Sequence, residues 1–179
     1  MTLNRFLAAA SALALLSACA STLGPPPPPP TESGPPSASV FRRGDFSWSA
    51  VPGKGRIEGH VGFHRGETTY SCTGAAVVLT PETLWTRRRM SQLYNSPTAA
   101  ALPVEEVRAR TPSEPSEDYS AFVRRTVCDA GGRFGFTGLP NGAWYVSTVA
   151  KPTPAKPGGS VAIMRRVEVR NGRAVTVEL

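Results

Sequence analysis

The sequence predicts an all-β sandwich of about seven strands, interrupted by one irregular or partly helical insertion at about residues 81–118. Three observations carry that expectation. Residues 129–150 read as turn, strand, turn, strand, with Phe134 and Phe136 alternating on the first strand and Trp144 and Val146 recurring at period two on the second. Together these rings form a cross-strand apolar face that must be covered by a second layer. Alternating apolar residues recur on both sides of this hairpin, while no long helical period and no internal repeat appears.

The chain has 179 residues and a net charge of +7, enough length for one domain with a core. The basic balance suits anionic surfaces such as lipid headgroups, lipopolysaccharide or acidic polymers, although charge alone is as compatible with a solvated surface. At the start, Asn4-Arg5 precedes an apolar run over 6–16, too short to cross a bilayer as a helix but matching the apolar core of a secretory signal. The run ends in Leu16-Ser17-Ala18-Cys19, which resembles the lipobox of bacterial lipoproteins. That resemblance implies a signal peptide over 1–18, lipidation of Cys19 and attachment to membrane through the acyl chains, about 0.8 kcal/mol per buried methylene. Ala20 in place of Asp implies, by the same family's sorting rule, the outer membrane, with the domain facing periplasm or cell surface. Residues 19–40 then form a Pro-rich linker. Pro25 to Pro30 is expected in polyproline II at about 3.1 Å per residue, so the tether reaches on the order of 60 Å.

The sandwich is expected over 41–179. Phe46, Trp48 and Ala50 alternate, so a short strand is one option for 40–51. Ile57, Val61 and Phe63 alternate with Glu58, His60 and His64, the pattern of a half-buried strand. Residues 66–73 read as turn and loop, and Ala75, Val77 and Leu79 face inward on the next strand. Thr80 is placed to cap, and Pro81 to open, a short helix over 82–94 carrying Trp85 and Leu93 on one side; a loop is the alternative. Four prolines over 95–117 predict an irregular excursion with 104–108 as its helix-like piece. Residues 118–127 read as a strand leading into the hairpin. Residues 151–159 read as loop. The closing strands, 161–169 and 174–179, are joined at Asn171-Gly172; a three-residue loop with Gly172 left-handed pairs Val167 with Val175 and keeps the valines on one face.

The pattern Asp129-x-x-Gly132-x-Phe134-x-Phe136-x-Gly138-Leu139-Pro140-x-Gly142-x-Trp144 resembles the signature hairpin of carboxypeptidase regulatory-like domains. Residues 56–61 and Gly74-Ala75-Ala76-Val77-Val78-Leu79 look like two further strands of that family. The resemblance implies a transthyretin-like Greek-key β-sandwich and leaves function open, because this sandwich hosts many unrelated roles.

With Cys19 lipidated, Cys72 and Cys128 remain, an even pair that predicts a disulfide in an oxidising compartment. His60 and His64 share a strand face with Glu58, but a zinc site needs three or four convergent ligands, so no metal and no cofactor is expected. Transthyretin-like hydroxyisourate hydrolases share the His60-Val61 pair, yet this chain ends Thr176-Val177-Glu178-Leu179 and not in their Tyr-Arg-Gly-Ser. No Gly-x-Ser-x-Gly elbow and no phosphate-binding glycine loop occurs. No catalytic residue is therefore assigned. Arginines cluster at Arg42-Arg43, Arg87-Arg88-Arg89, Arg124-Arg125 and Arg165-Arg166. The expected role is a non-catalytic binding or scaffolding module, with Arg87, Arg88 and Arg89 holding an anionic envelope partner, lipopolysaccharide or acidic protein, and not nucleic acid. A carbohydrate-binding module is the alternative, which a line of exposed aromatics would favour.

Overall fold

The computed structural model describes residues 40–111, 119–155 and 159–179. The signal peptide expected over 1–18, the expected lipidation site Cys19 and all but Val40 of the linker expected over 19–40 lie outside the described residues. Ten strands and two α-helices follow one another among those residues: β1 (Gly55–His60), β2 (His64–Arg65), β3 (Thr68–Ser71), β4 (Ala76–Pro81), α1 (Leu84–Tyr94), β5 (Ala99–Pro103), α2 (Val104–Ala109), β6 (Arg124–Val127), β7 (Arg133–Leu139), β8 (Gly142–Thr153), β9 (Val161–Val169) and β10 (Ala174–Glu178). The molecule is mainly β, with two sheets, as expected; the strand count exceeds the seven anticipated.

The smaller sheet has the order β10-β1-β7, with β10 parallel and β7 antiparallel to β1. The larger sheet is built on β8, which pairs antiparallel with β9, β4 and β3. Outward from these, β9 pairs with β5, β4 with β6 and β3 with β2. Alternation places one side of each strand inward: β1 alternates buried and exposed along its whole length. The inward side chains, including Ile57, Val77, Leu79, Phe134, Phe136, Trp144, Val146 and Val177, form one core between the sheets.

Neither expected hairpin is a hairpin. β7 belongs to the smaller sheet and β8 to the larger, so the turn at 139–142 carries the chain from one layer to the other. Phe134 and Phe136 meet Trp144 within the core between layers, not across a strand pair. The closing turn does the same: β9 stays in the larger sheet while β10 joins β1. Val167 pairs with Trp144 and Val175 with Ile57, so the anticipated Val167–Val175 pair is not made. Period-two alternation determines which face a side chain takes but says nothing of which strand lies beside it. Gly172 is left-handed (φ 63°), as the loop requires, and so is Asn171 (φ 55°). The Gly172 N–H donates to Asn141 Oδ1 (3.1 Å), which binds one crossing turn to the other.

Other segments depart from expectation for tertiary reasons. Arg43–Ala50 is a 3-10 helix and not a strand; Phe46 and Ser49, three apart, are its buried residues. Phe46 stacks on Phe122 and Trp48 packs edge-on against Trp144. The loop expected at 66–73 contains β3, which is held by β8, itself continuing to Thr153 through the loop expected at 151–159. The helix option for 82–94 is the one realised, but Thr83 caps it, accepting from the Thr86 N–H (3.1 Å), while Thr86 Oγ1 receives the Thr83 N–H (2.7 Å). Thr80 and Pro81 instead finish β4. The excursion contains β5, paired along its length with β9, and then α2. The strand expected over 118–127 is confined to β6, preceded by a 3-10 turn at Ser120–Phe122. α1 and α2 cover the outer face of the larger sheet, packing Met90, Leu93 and Tyr94 on Tyr145, Ala162 and Met164.

Candidate binding surface

Cys72 lies in the break between β3 and β4, and Cys128 directly follows β6, so the pairing of β4 with β6 brings them together. They form the disulfide, with Cα atoms 5.7 Å apart and a sequence separation of 56. Backbone bonds close around it: Gly74 N–H donates to Cys128 O (2.9 Å) and Cys128 N–H to Ala75 O (3.0 Å). These cysteines hold structure and leave no thiol for chemistry.

The histidines do not converge. His60 Nδ1 lies 2.8 Å from Glu178 Oε1, both side chains exposed, and His64 Nδ1 lies 3.3 Å from Thr69 Oγ1. Among the described residues no three His, Cys, Asp or Glu side chains gather as metal ligands would.

The arginines of α1 take three different roles. Arg87 Nε donates to Glu82 Oε1 (2.7 Å). Arg89 lies over the rings of Trp85 and Tyr119, at 5.5 and 5.7 Å from their centroids. Arg88 is exposed and has no carboxylate partner among the described residues. Successive helical residues are rotated by about 100°, so three in a row fan around the axis rather than share a face.

A charged group missed in the sequence lies beneath α1. Glu82, whose side chain is 7% exposed, receives Arg166 on Oε2 (Nε 2.8 Å, Nη2 2.6 Å) and Arg87 on Oε1. The Tyr145 hydroxyl lies 3.1 Å from Glu82 Oε1 and 3.2 Å from the Pro97 carbonyl oxygen, and its one proton is given to either. Burial alone would push the Glu82 carboxyl up, but the hydrogen bonds from Arg166 and Arg87 together hold it below the usual carboxylate range. Burial, and then the Glu82 charge, push the Tyr145 phenol well above its ordinary value. Glu82 is thus a neutralised carboxylate and Tyr145 a fixed proton donor, an arrangement that clamps α1 to the sheet. Nothing in the sequence marked it, since Tyr145 and Arg166 are 63 and 84 residues away.

Arg124 is also structural. It donates to the carbonyls of Thr137, Gly138 and Ser49 and lies over Trp144 at 5.6 Å. The arginines left to solvent without a carboxylate partner among the described residues include Arg65, Arg88, Arg125, Arg165 and Arg173. Aromatic rings behave in the opposite way. Every described Phe, Tyr and Trp is buried or half-buried, and the half-buried ones, Phe41, Trp48, Phe63, Tyr119 and Phe122, each pack on another ring.

Scanned against family models and against curated proteins, the chain finds no match. A solved structure from Streptococcus agalactiae, the minor pilin GBS52, gives a TM-score of 0.32 at 16% identity over 74% of this chain and 44% of that one, too low to bear on the fold. A solved structure from Pseudomonas aeruginosa, described as a "putative carbohydrate binding protein", covers 78% of this chain and 96% of its own at 22% identity and a TM-score of 0.52, and the two share the β-rich fold.

Proposed function

We propose that the chain is a non-catalytic binding module of the bacterial envelope, a transthyretin-like Greek-key domain of the carboxypeptidase regulatory-like kind. It is held to the outer membrane by acylated Cys19 and stood off by the Pro-rich tether. Its partner is an anionic component of the envelope, lipopolysaccharide or an acidic protein. The observation that supports this is the division of the surface residues: among the described residues several guanidinium groups, Arg65, Arg88, Arg125, Arg165 and Arg173, are left to solvent without a carboxylate partner, whereas the aromatic rings are packed against one another. Stacking on a sugar needs an open ring face, so this division favours an anion over a neutral sugar held by ring stacking; the Pseudomonas aeruginosa protein's description names carbohydrate.

A partner held by exposed arginines is attracted by charge that salt screens within about 8 Å at physiological ionic strength. Binding of the full chain to lipopolysaccharide, followed by calorimetry, should weaken steadily as salt rises. Arg88→Ser should weaken it without lowering Tm, because an exposed unpaired charge contributes little to folding. Arg87→Ser and Arg89→Ser remove the Glu82 and Trp85 contacts, so their effects on binding are interpretable only beside a measured Tm. Salt-insensitive binding to a neutral polysaccharide would overturn the anionic reading in favour of the carbohydrate one.

A further inference from the structure

The larger sheet is wider than the smaller one, and the inward side of its β9–β5 margin is left open beside β10. Phe63, Ala99 to Ala101, Ile163 to Arg165 and Leu179 line a slot of about 240 Å³ there. Its floor is apolar where β5 supplies alanines, whose small side chains leave the room: Ala101 stands opposite Ile163 and Ala99 opposite Arg165 in the ladder. Two guanidinium groups stand at the rim. Arg165 is exposed, and Arg65 donates one N–H to the Ala101 carbonyl (3.2 Å) with its Cζ 5.9 Å from the Phe63 ring centroid. Neither has a carboxylate partner among the described residues. A guanidinium has five N–H donors, so Arg65 keeps most of its donors for a ligand.

From this juxtaposition we propose that the slot binds a single-chain amphiphilic anion, a straight alkyl carboxylate, with its head on Arg65 and Arg165 and its chain along the alanine floor. The proposal rests on the anionic reading above and names one ligand chemistry for it. An added peptide strand fits less well, because the outer edge of β5 is already blunted. Ala99 N–H is taken by Ser96 Oγ (3.2 Å), Ala101 O by Arg65, and Pro103 has no N–H.

The test uses the full chain carrying Cys19→Ser, so that its own acyl groups do not compete. Octanoate, nonanoate and decanoate are titrated by calorimetry, with amide and methyl resonances followed in parallel. One site should saturate, with shifts centred on residues 63, 99–101, 163–165 and 179. Each added methylene should tighten binding about fourfold while it still enters the slot. Arg65→Gln with Arg165→Gln should weaken decanoate tenfold or more, and decanol should bind far more weakly than decanoate. Ala101→Leu should abolish binding while leaving both arginines in place; should it lower Tm, the arginine pair, which is exposed, carries the test. Shifts centred elsewhere, no gain per methylene, or wild-type binding by the arginine pair would overturn the proposal, as would an acidic peptide that gives the same shifts and is not displaced by decanoate. The two readings fail separately: decanoate binding without salt-sensitive lipopolysaccharide binding removes the proposed function alone, and the reverse removes the slot alone.

Discussion

Asp129 shows how far a single residue can be understood from its neighbours. Its Oδ1 accepts the N–H of Gly131 (2.9 Å) and of Arg133 (2.7 Å), so one carboxylate organises the turn into β7. Asp129→Ala should cost about 1–2 kcal/mol, seen as a fall in Tm of several degrees. This contact was legible because the turn chemistry of Asp and Gly is local. Glu82 was illegible for the opposite reason, since its meaning comes from Arg166 and Tyr145, brought from β9 and β8. Glu82→Gln leaves Arg166 without its countercharge and should cost about 2 kcal/mol, below the ~3–5 of a fully buried pair because both arginines reach water. The acid response of the two proteins separates this role from simple packing. A carboxyl held below its unfolded value stabilises the fold above that value, near 4.5, and the stabilisation is lost as pH falls through the folded value. Acid melts of wild type and Glu82→Gln should therefore draw together as pH falls from 4.5 through the lower folded value, and separate towards neutrality.

Elements were legible where packing and propensity agree. β1, β4 and β7 fall close to where alternation places them, and α2 falls on the helix-like piece of the excursion. The start of α1 was misplaced because Thr80-Pro81 has the residues of a helix opening. Pairing with Tyr145 and Trp144 keeps both in β4. The real cap can be tested: Thr83→Ala removes the acceptor of the Thr86 N–H and should cost about 1–2 kcal/mol, measured by denaturant unfolding. β5 could not be anticipated from Ala-Ala-Ala-Leu-Pro, a run with little strand propensity, because its partner β9 supplies the pairing. Gly142 is a further element-scale constraint. A Cβ there would lie 2.3 Å from the Trp48 ring, in a backbone at φ 151°, so Gly142→Ala should displace Trp48 from Trp144 and change the tryptophan fluorescence.

At the scale of the molecule, the layered class followed from apolar faces that need covering, but the two turns that pass between layers did not. A turn sequence is the same whether its strands pair or part, and it takes the pairing of Gly142 with Val169 and the bond from Gly172 to Asn141 to show that both crossings lie at one end. The bond between Cys72 and Cys128 closes a span of 56 residues, for which chain entropy predicts roughly 4 kcal/mol. Replacing both cysteines with Ala should lower Tm substantially while leaving the far-ultraviolet circular dichroism of the folded protein unchanged. That same constraint acts on timing. A domain of ordinary stability has roughly 5–15 kcal/mol in total, so a chain whose thiols are still reduced unfolds about a thousandfold more readily than the oxidised one. The domain gains this margin only once its thiols are oxidised, so the redox state of its surroundings sets how durable the fold is.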